Sequence, residues 1–187
     1  MLFTDMVDFT ARSNVMDAEA LFDSLNRYFE AIAAPVLDEQ GLLDKFIGDA
    51  LMAEFGVPVH RGDREEALAA VRAALTMQTN LDQLNSVLDQ EGLEPLRHGI
   101  GIHCGDVIAG NLGSQDRLEY TVIGAAVNLA SRLEALTRKF PDYPILISGD
   151  VLALIADVVV VEDLGRHAVK GWPEPVAVYG LIAIHRG

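Results

Sequence analysis

Two aspartates stand at the ends of predicted strands, where a carboxylate is held rigidly and beside a turn. Asp5 closes the apolar segment MLFTDM, and Asp49 lies at the turn of KFIGDALMAEF. Carboxylates at strand ends are suited to binding divalent cations, and two of them could hold a pair of Mg²⁺ ions around a triphosphate. A single aspartate beside a turn more often serves the turn itself, and we interpret Asp8 as such a turn or capping residue.

Asn128 and Arg132 form a second pair, four residues apart in the predicted helix AVNLASRLEALTRKF. Side chains with this spacing project from the same helix face. An amide beside a guanidinium could hold a ribose and stabilise charge that develops on a transferring phosphorus. The alternative is the exposed polar face of an amphipathic helix, and the spacing alone favours that alternative.

Lys45 and Thr121 lie on predicted strands and could read a purine base. Lys45 could donate to a ring nitrogen, or extend its ammonium group past apolar neighbours to water. The Thr121 hydroxyl both donates and accepts hydrogen bonds, although threonine is also common in strands. The backbone N–H groups of Phe9 and Thr10, in the turn that follows the first strand, could hold phosphate oxygens, but most such turns bind nothing.

The composition limits the class of protein. The chain has 187 residues, which suits one domain, and a net charge of -14, which disfavours nucleic acid and anionic membranes as partners. The single cysteine excludes an internal disulfide. No apolar segment approaches the roughly 20 residues needed to span a bilayer, and the acidic start MLFTDMVDF does not predict a signal peptide. We expect residues 1–187 to be one soluble, cytoplasmic domain without membrane contact, excised from a longer multidomain protein.

The predicted elements alternate between strands and helices. After the first strand, a helix begins at the N-cap Asp17 and stops before Gly41, and a hairpin then turns at Gly48 and Asp49. A long helix starts near Asp63, and Gly-punctuated strands lead to the helix of Asn128. The tail predicts a strand, a short helix, a strand pair around VVVVEDLGRHAVKG and a last strand. This order predicts an α+β or α/β sandwich with helices on a mixed sheet.

Five segments in order resemble the class III nucleotidyl cyclase catalytic domain and cover nearly the whole chain. They are LFTDMVDFT, DKFIGDALMAEFGVP, GIGIHCGDVIAGNLGS, RLEYTVIGAAVNLASRLEAL and VKGWPEPVAVYGL. The threonine at position 121 is similar to the residue at this position in the subclass IIIb adenylyl cyclases, which include bicarbonate-responsive members. The resemblance implies an α+β fold with a ferredoxin-like βαββαβ core, a C-terminal extension and a mainly antiparallel sheet.

The resemblance also implies an activity, the conversion of ATP to 3′,5′-cyclic AMP and pyrophosphate in a head-to-tail, two-fold homodimer, with bicarbonate as a further candidate partner. Two Mg²⁺ (or Mn²⁺) ions would be held by Asp5, Asp49 and the backbone carbonyl of Met6. The partner protomer would supply Lys45 and Thr121 to adenine, Asn128 to the ribose and Arg132 to the α-phosphate.

Two positions depart from the family pattern. Ala125 in IGAAVN replaces a polar residue, which predicts a lost helix cap worth about 1 kcal/mol. The phosphate-binding lysine that some relatives carry near the C-terminus has no counterpart in EPVAVYGL, where Val176 stands instead. Two alternatives stay open. A guanylyl cyclase would favour a carboxylate reader for the guanine donors, and a non-catalytic nucleotide-sensing dimerisation module would be expected to lose one of the four catalytic side chains.

Overall fold

A computed structural model describes residues 1–185 as a large sheet, a separate hairpin and five α-helices. The strands are β1 (Leu2–Met6), β2 (Leu42–Ile47), β3 (Ala50–Glu54), β4 (His98–Ile102), β5 (Ile108–Gly113), β6 (Leu118–Ile123), β7 (Ile145–Ser148), β8 (Val159–His167) and β9 (Val176–Ile184). The helices are α1 (Phe9–Ser13), α2 (Ala18–Asp38), α3 (Asp63–Gln90), α4 (Ala125–Leu136) and α5 (Gly149–Ile155).

The large sheet has the strand order β2-β3-β1-β4-β7-β9-β8, and β5 pairs only with β6. The first four strands pair antiparallel and, with α2 and α3, form the predicted ferredoxin-like βαββαβ core. The remaining three extend the sheet through a parallel pairing of β4 with β7. The α+β class and the mainly antiparallel sheet are therefore confirmed.

The two faces of the sheet are covered by different helices. Successive residues of a strand point to opposite faces, so neighbouring residues of one strand join different cores. In β7, Ile145 and Ile147 join the core formed with α2, α3 and α5, whereas Leu146 joins the core formed with α4. In β1, Leu2 and Met6 face the first core. Phe3 and Asp5 alternate with them, so this pattern directs Asp5 toward α4.

Local signals in the sequence explain most boundaries. The Asp17 carboxylate accepts hydrogen bonds from the N–H groups of Glu19 and Ala20, which begins α2 as predicted. The predicted strand pair around VVVVEDLGRHAVKG was wrong, since β8 is one strand that pairs with β9 along its length. Its irregularities are absorbed by register shifts, one of which includes Gly165 at a φ of 83°. Across residues 1–185, we find no helix with the length and apolarity that a bilayer crossing requires.

Candidate active site

The structure brings Asp5 and Asp49 together at one end of the sheet. Asp5 lies near the end of β1, and Asp49 follows Gly48, which has a φ of 65°, in the turn between β2 and β3. Burial, followed by a hydrogen bond and the charge of Asp5, raises the pKa of Asp49 to about 7. The backbone N–H groups of Asp49 and Met6 oppose the shift. Two carboxyl groups forced together in this way form a site whose repulsion a divalent cation would relieve.

Two further charged residues border this pair, and sequence reasoning missed both. Arg138 places Nη2 3.6 Å from Asp5 Oδ2 and Nη1 2.8 Å from Glu134 Oε1. Burial raises the pKa of Glu134 to about 7, against the opposing charge of Arg138. α4 can lie this close because β4 has glycine at 99 and 101. A Cβ added to Gly101 would sit 2.2 Å from the backbone nitrogen of Glu134. The Gly-x-Gly spacing of HGIGI was the available signal.

Asn128 and Arg132 share a separate small cleft of about 260 Å³ with Lys170 and Trp172. Both α4 side chains are exposed, whereas Glu134 on the same helix is buried beside Arg138. The helix therefore presents its amide and guanidinium away from its own carboxylate pair. Lys170, in the loop before β9, is a cation of this cleft that sequence reasoning did not single out, and Val176 still stands where some relatives carry the phosphate-binding lysine.

Lys45 and Thr121 meet at Asp44, a residue that the sequence did not single out. Thr121 Oγ1 donates a hydrogen bond of 2.6 Å to Asp44 Oδ2, and Lys45 Nζ lies 3.2 Å from Asp44 Oδ1. Lys45 also donates to Glu119 Oε2 at 3.0 Å. Hydrogen bonds to Glu119 and Asp44 raise the pKa of Lys45, so the ammonium group stays charged. The predicted pair of base-reading residues is thus brought together around one buried carboxylate.

Glu54, the last residue of β3, lies next to Asp44. The residue is 1% exposed, and its two carboxyl oxygens are buried without a hydrogen-bond donor among the described residues. Burial first, then the charge and hydrogen bond of Asp44, raises the pKa of Glu54 to about 8. Glu54 therefore carries a proton at neutral pH, which it can donate to the neighbouring carboxylate.

The remaining predicted positions lie at the starts of helices. Phe9 begins α1 and packs against the core, and Thr10 is exposed in its first turn. Asp8 adopts the left-handed conformation with a φ of 61°, which fits its interpretation as a turn residue, but its side chain does not cap α1. At α4, the N-cap is Gly124 and no side-chain cap forms, so Ala125 is the first helical residue rather than the cap position expected from the sequence.

Comparison with known proteins places this arrangement in a family. The sequence profile described as "Adenylate and Guanylate cyclase catalytic domain" matches residues 1–183. Adenylate cyclase 1 of Rhizobium meliloti is 34% identical over 185 residues, which is 99% of this chain and 27% of that protein. The adenylate cyclase of Anabaena cylindrica is 38% identical over 144 residues, which is 75% of this chain and 27% of that protein.

Solved structures agree with this assignment. The adenylyl cyclase CyaB from P. aeruginosa superposes with a TM-score of 0.91 at 37% identity, covering 99% of this chain and 93% of that chain. The guanylyl cyclase Cya2 superposes with a TM-score of 0.88 at 33% identity, covering 98% and 91%. Together with the paired aspartates and the Asn–Arg cleft, these similarities confirm the expected family: the chain belongs to the adenylate and guanylate cyclase catalytic domains of class III.

Proposed function

We propose that this chain is an adenylyl cyclase that converts ATP to 3′,5′-cyclic AMP and pyrophosphate in a head-to-tail homodimer. The observation that carries the proposal is the Asp5–Asp49 pair, in which burial and mutual repulsion raise the pKa of Asp49 to about 7. This donor set fits two Mg²⁺ (or Mn²⁺) ions held by both carboxylates and the Met6 carbonyl. When bound, the ions would acidify the ribose 3′-hydroxyl and neutralise the phosphates.

The orientation of α4 supports a site shared between two protomers. Because Asn128 and Arg132 face away from the carboxylate pair of their own chain, a second chain is needed to bring them to the nucleotide. Asn128 then orients the ribose for in-line attack, and Arg132 stabilises charge around the α-phosphorus. Lys170 in the same cleft supplies a cation to the phosphates. The N–H groups of Phe9 and Thr10 are candidates for phosphate contacts from the metal-bearing protomer.

Lys45 and Thr121 favour adenine over guanine. Lys45 donates to a ring nitrogen of adenine, and Thr121 contacts its exocyclic amino group. Thr121 is also the only residue that suggests bicarbonate as an activator. A flat response of the activity to bicarbonate at fixed pH would exclude that effector.

Purified protein should form cyclic AMP from ATP with Mg²⁺ or Mn²⁺, and much less cyclic GMP from GTP. Asp49→Asn should lower activity at least about 100-fold, whereas Asp89→Asn, the same change on the exposed face of α3, should leave it unchanged. A preference for GTP, or an inert wild type with Mn²⁺, contradicts the proposal.

Mixing two inactive variants tests the shared site. Asp49→Asn and Arg132→Ala damage opposite halves of each composite site, so a mixed dimer contains one intact site. We expect activity to reappear on mixing, up to about a quarter of the wild-type value per chain if the chains pair at random. Mixing that restores nothing, although exchange of subunits is demonstrated, would exclude the head-to-tail arrangement.

A further inference from the structure

Asp44 connects the two residues that are proposed to read the base. Its side chain is 0% exposed, and one oxygen accepts from the Thr121 hydroxyl while the other lies 3.2 Å from the Lys45 ammonium. The contact to Thr121 joins residues separated by 77 positions in the chain. A buried carboxylate in this position affects the hydrogen bonding of both Thr121 and Lys45.

The direction of the hydrogen bond to Thr121 follows from the charge of Asp44. An ionised carboxylate only accepts hydrogen bonds, so the hydroxyl of Thr121 must be the donor. The O–H···O distance of 2.6 Å is typical of a charge-assisted bond. The only hydroxyl proton of Thr121 is therefore committed to Asp44, and its lone pairs alone remain available to a ligand.

Two side chains besides Thr121 face Asp44. Lys45 provides a cation 3.2 Å from Oδ1. Burial, followed by the charge and hydrogen bond of Asp44, raises the pKa of Glu54 to about 8, so Glu54 holds a proton that it can donate to Asp44 as a hydrogen bond. The buried site thus contains one carboxylate, one carboxylic acid, one ammonium and one hydroxyl.

We infer that Asp44 is a specificity-determining residue, which turns Thr121 into an obligate hydrogen-bond acceptor and so selects adenine against guanine. Adenine presents an amino group at its 6-position, which donates to the lone pairs of Thr121. Guanine presents a carbonyl oxygen there, and two acceptors would face each other. Without Asp44, the hydroxyl could rotate and donate to that oxygen. This inference rests on the proposed function, since it assigns the base selectivity of the same site.

The test measures kcat/KM for ATP, GTP and purine riboside triphosphate, which carries no group at the 6-position. Asp44→Asn keeps the shape. Because the Lys45 ammonium holds the amide oxygen on its side, the NH₂ group faces Thr121 as a donor and the hydroxyl proton is released. The ATP-to-GTP ratio of kcat/KM should fall at least about tenfold in this variant. The value for purine riboside triphosphate should change much less than that for ATP, because this substrate has no group for Thr121 to contact.

Two comparisons separate orientation of the hydroxyl from general damage. In a Thr121→Val background, Asp44→Asn should change the ATP-to-GTP ratio by less than about twofold, since no hydroxyl remains to orient. Glu119→Gln removes the other carboxylate that contacts Lys45. Within residues 1–185, Glu119 makes no hydrogen bond to Thr121, so the ATP-to-GTP ratio of this variant should stay near that of the wild type. If Asp44→Asn does not fold by circular dichroism, Asp44→Ser removes the same charge in less volume and carries the same expectation.

An active Asp44→Asn enzyme with the wild-type ratio overturns the inference, as does an equal shift of the ratio in the Thr121→Val background. Failure of the proposed function looks different, because the wild type would then make no cyclic AMP. In that event the ratio of dissociation constants for ATP and GTP across the same variants replaces kcat/KM and decides the inference independently.

Discussion

Glu54 predicts how the stability of this protein depends on pH. Its pKa is raised from 4.5 to about 8, mainly by burial, so the folded state holds a proton that the unfolded state releases above 4.5. A folded state that binds more protons loses stability as pH rises. The loss accumulates through the interval between the two pKa values and ends above 8. A shift of this size corresponds to on the order of 5 kcal/mol across the whole interval.

Glu54→Gln isolates this contribution because glutamine does not titrate. Chemical denaturation of both proteins, at equal concentration, should show the wild type losing several kcal/mol relative to the variant between about pH 5 and about pH 8.5. Asp49 and Glu134 also have raised pKa values, but they are present in both proteins and cancel in the difference. Glu94→Gln, at an exposed position, serves as the control and should follow the wild type. Parallel curves for the wild type and Glu54→Gln would refute the reasoning.

Three further outcomes follow from the site. Asp49 without a bound metal has a pKa of about 7, so the Mg²⁺ affinity measured by calorimetry should rise with pH up to about 7 and level off above it. An affinity that does not change with pH would show that Asp49 is not a metal ligand. Gly101→Ala, whose Cβ would meet the α4 backbone at 2.2 Å, should lower the free energy of unfolding by about 2 kcal/mol or more, while Gly110→Ala, with open space around it, should cost much less. Lys170→Ala should lower kcat/KM for ATP about tenfold or more. Lys139→Ala, at an exposed position, is the control, and an equal loss in that variant would show that Lys170 makes no specific phosphate contact.

Much of the fold could be predicted from local signals in the chain. The Asp17 cap, the Gly48–Asp49 turn and the apolar segment MLFTDM each act over a few residues, and the structure confirms the elements they predict. The order of strands and helices predicted helices packed on a mixed sheet, and the resemblance to class III cyclases implied the ferredoxin-like core that the structure shows. The two strand ends that carry Asp5 and Asp49 are brought together by the antiparallel pairing of β1 with β3, which the order of elements alone did not predict. Their role as metal ligands stays a prediction, as does the origin of the chain in a longer protein.

The electrostatic environment of the site depends on contacts that no local pattern encodes. In the sequence Asp44 is one polar residue in a strand, yet its side chain is buried in the structure, where it contacts Thr121 of the distant strand β6 and Glu54 of the neighbouring strand β3. Lys170 was overlooked because its cleft forms only where the loop before β9 meets α4. The amino-acid types and their short-range spacing therefore specified the family and the elements. Proton positions and charge pairing were decided by folding, since a pKa depends on burial and on neighbours that only the folded chain assembles.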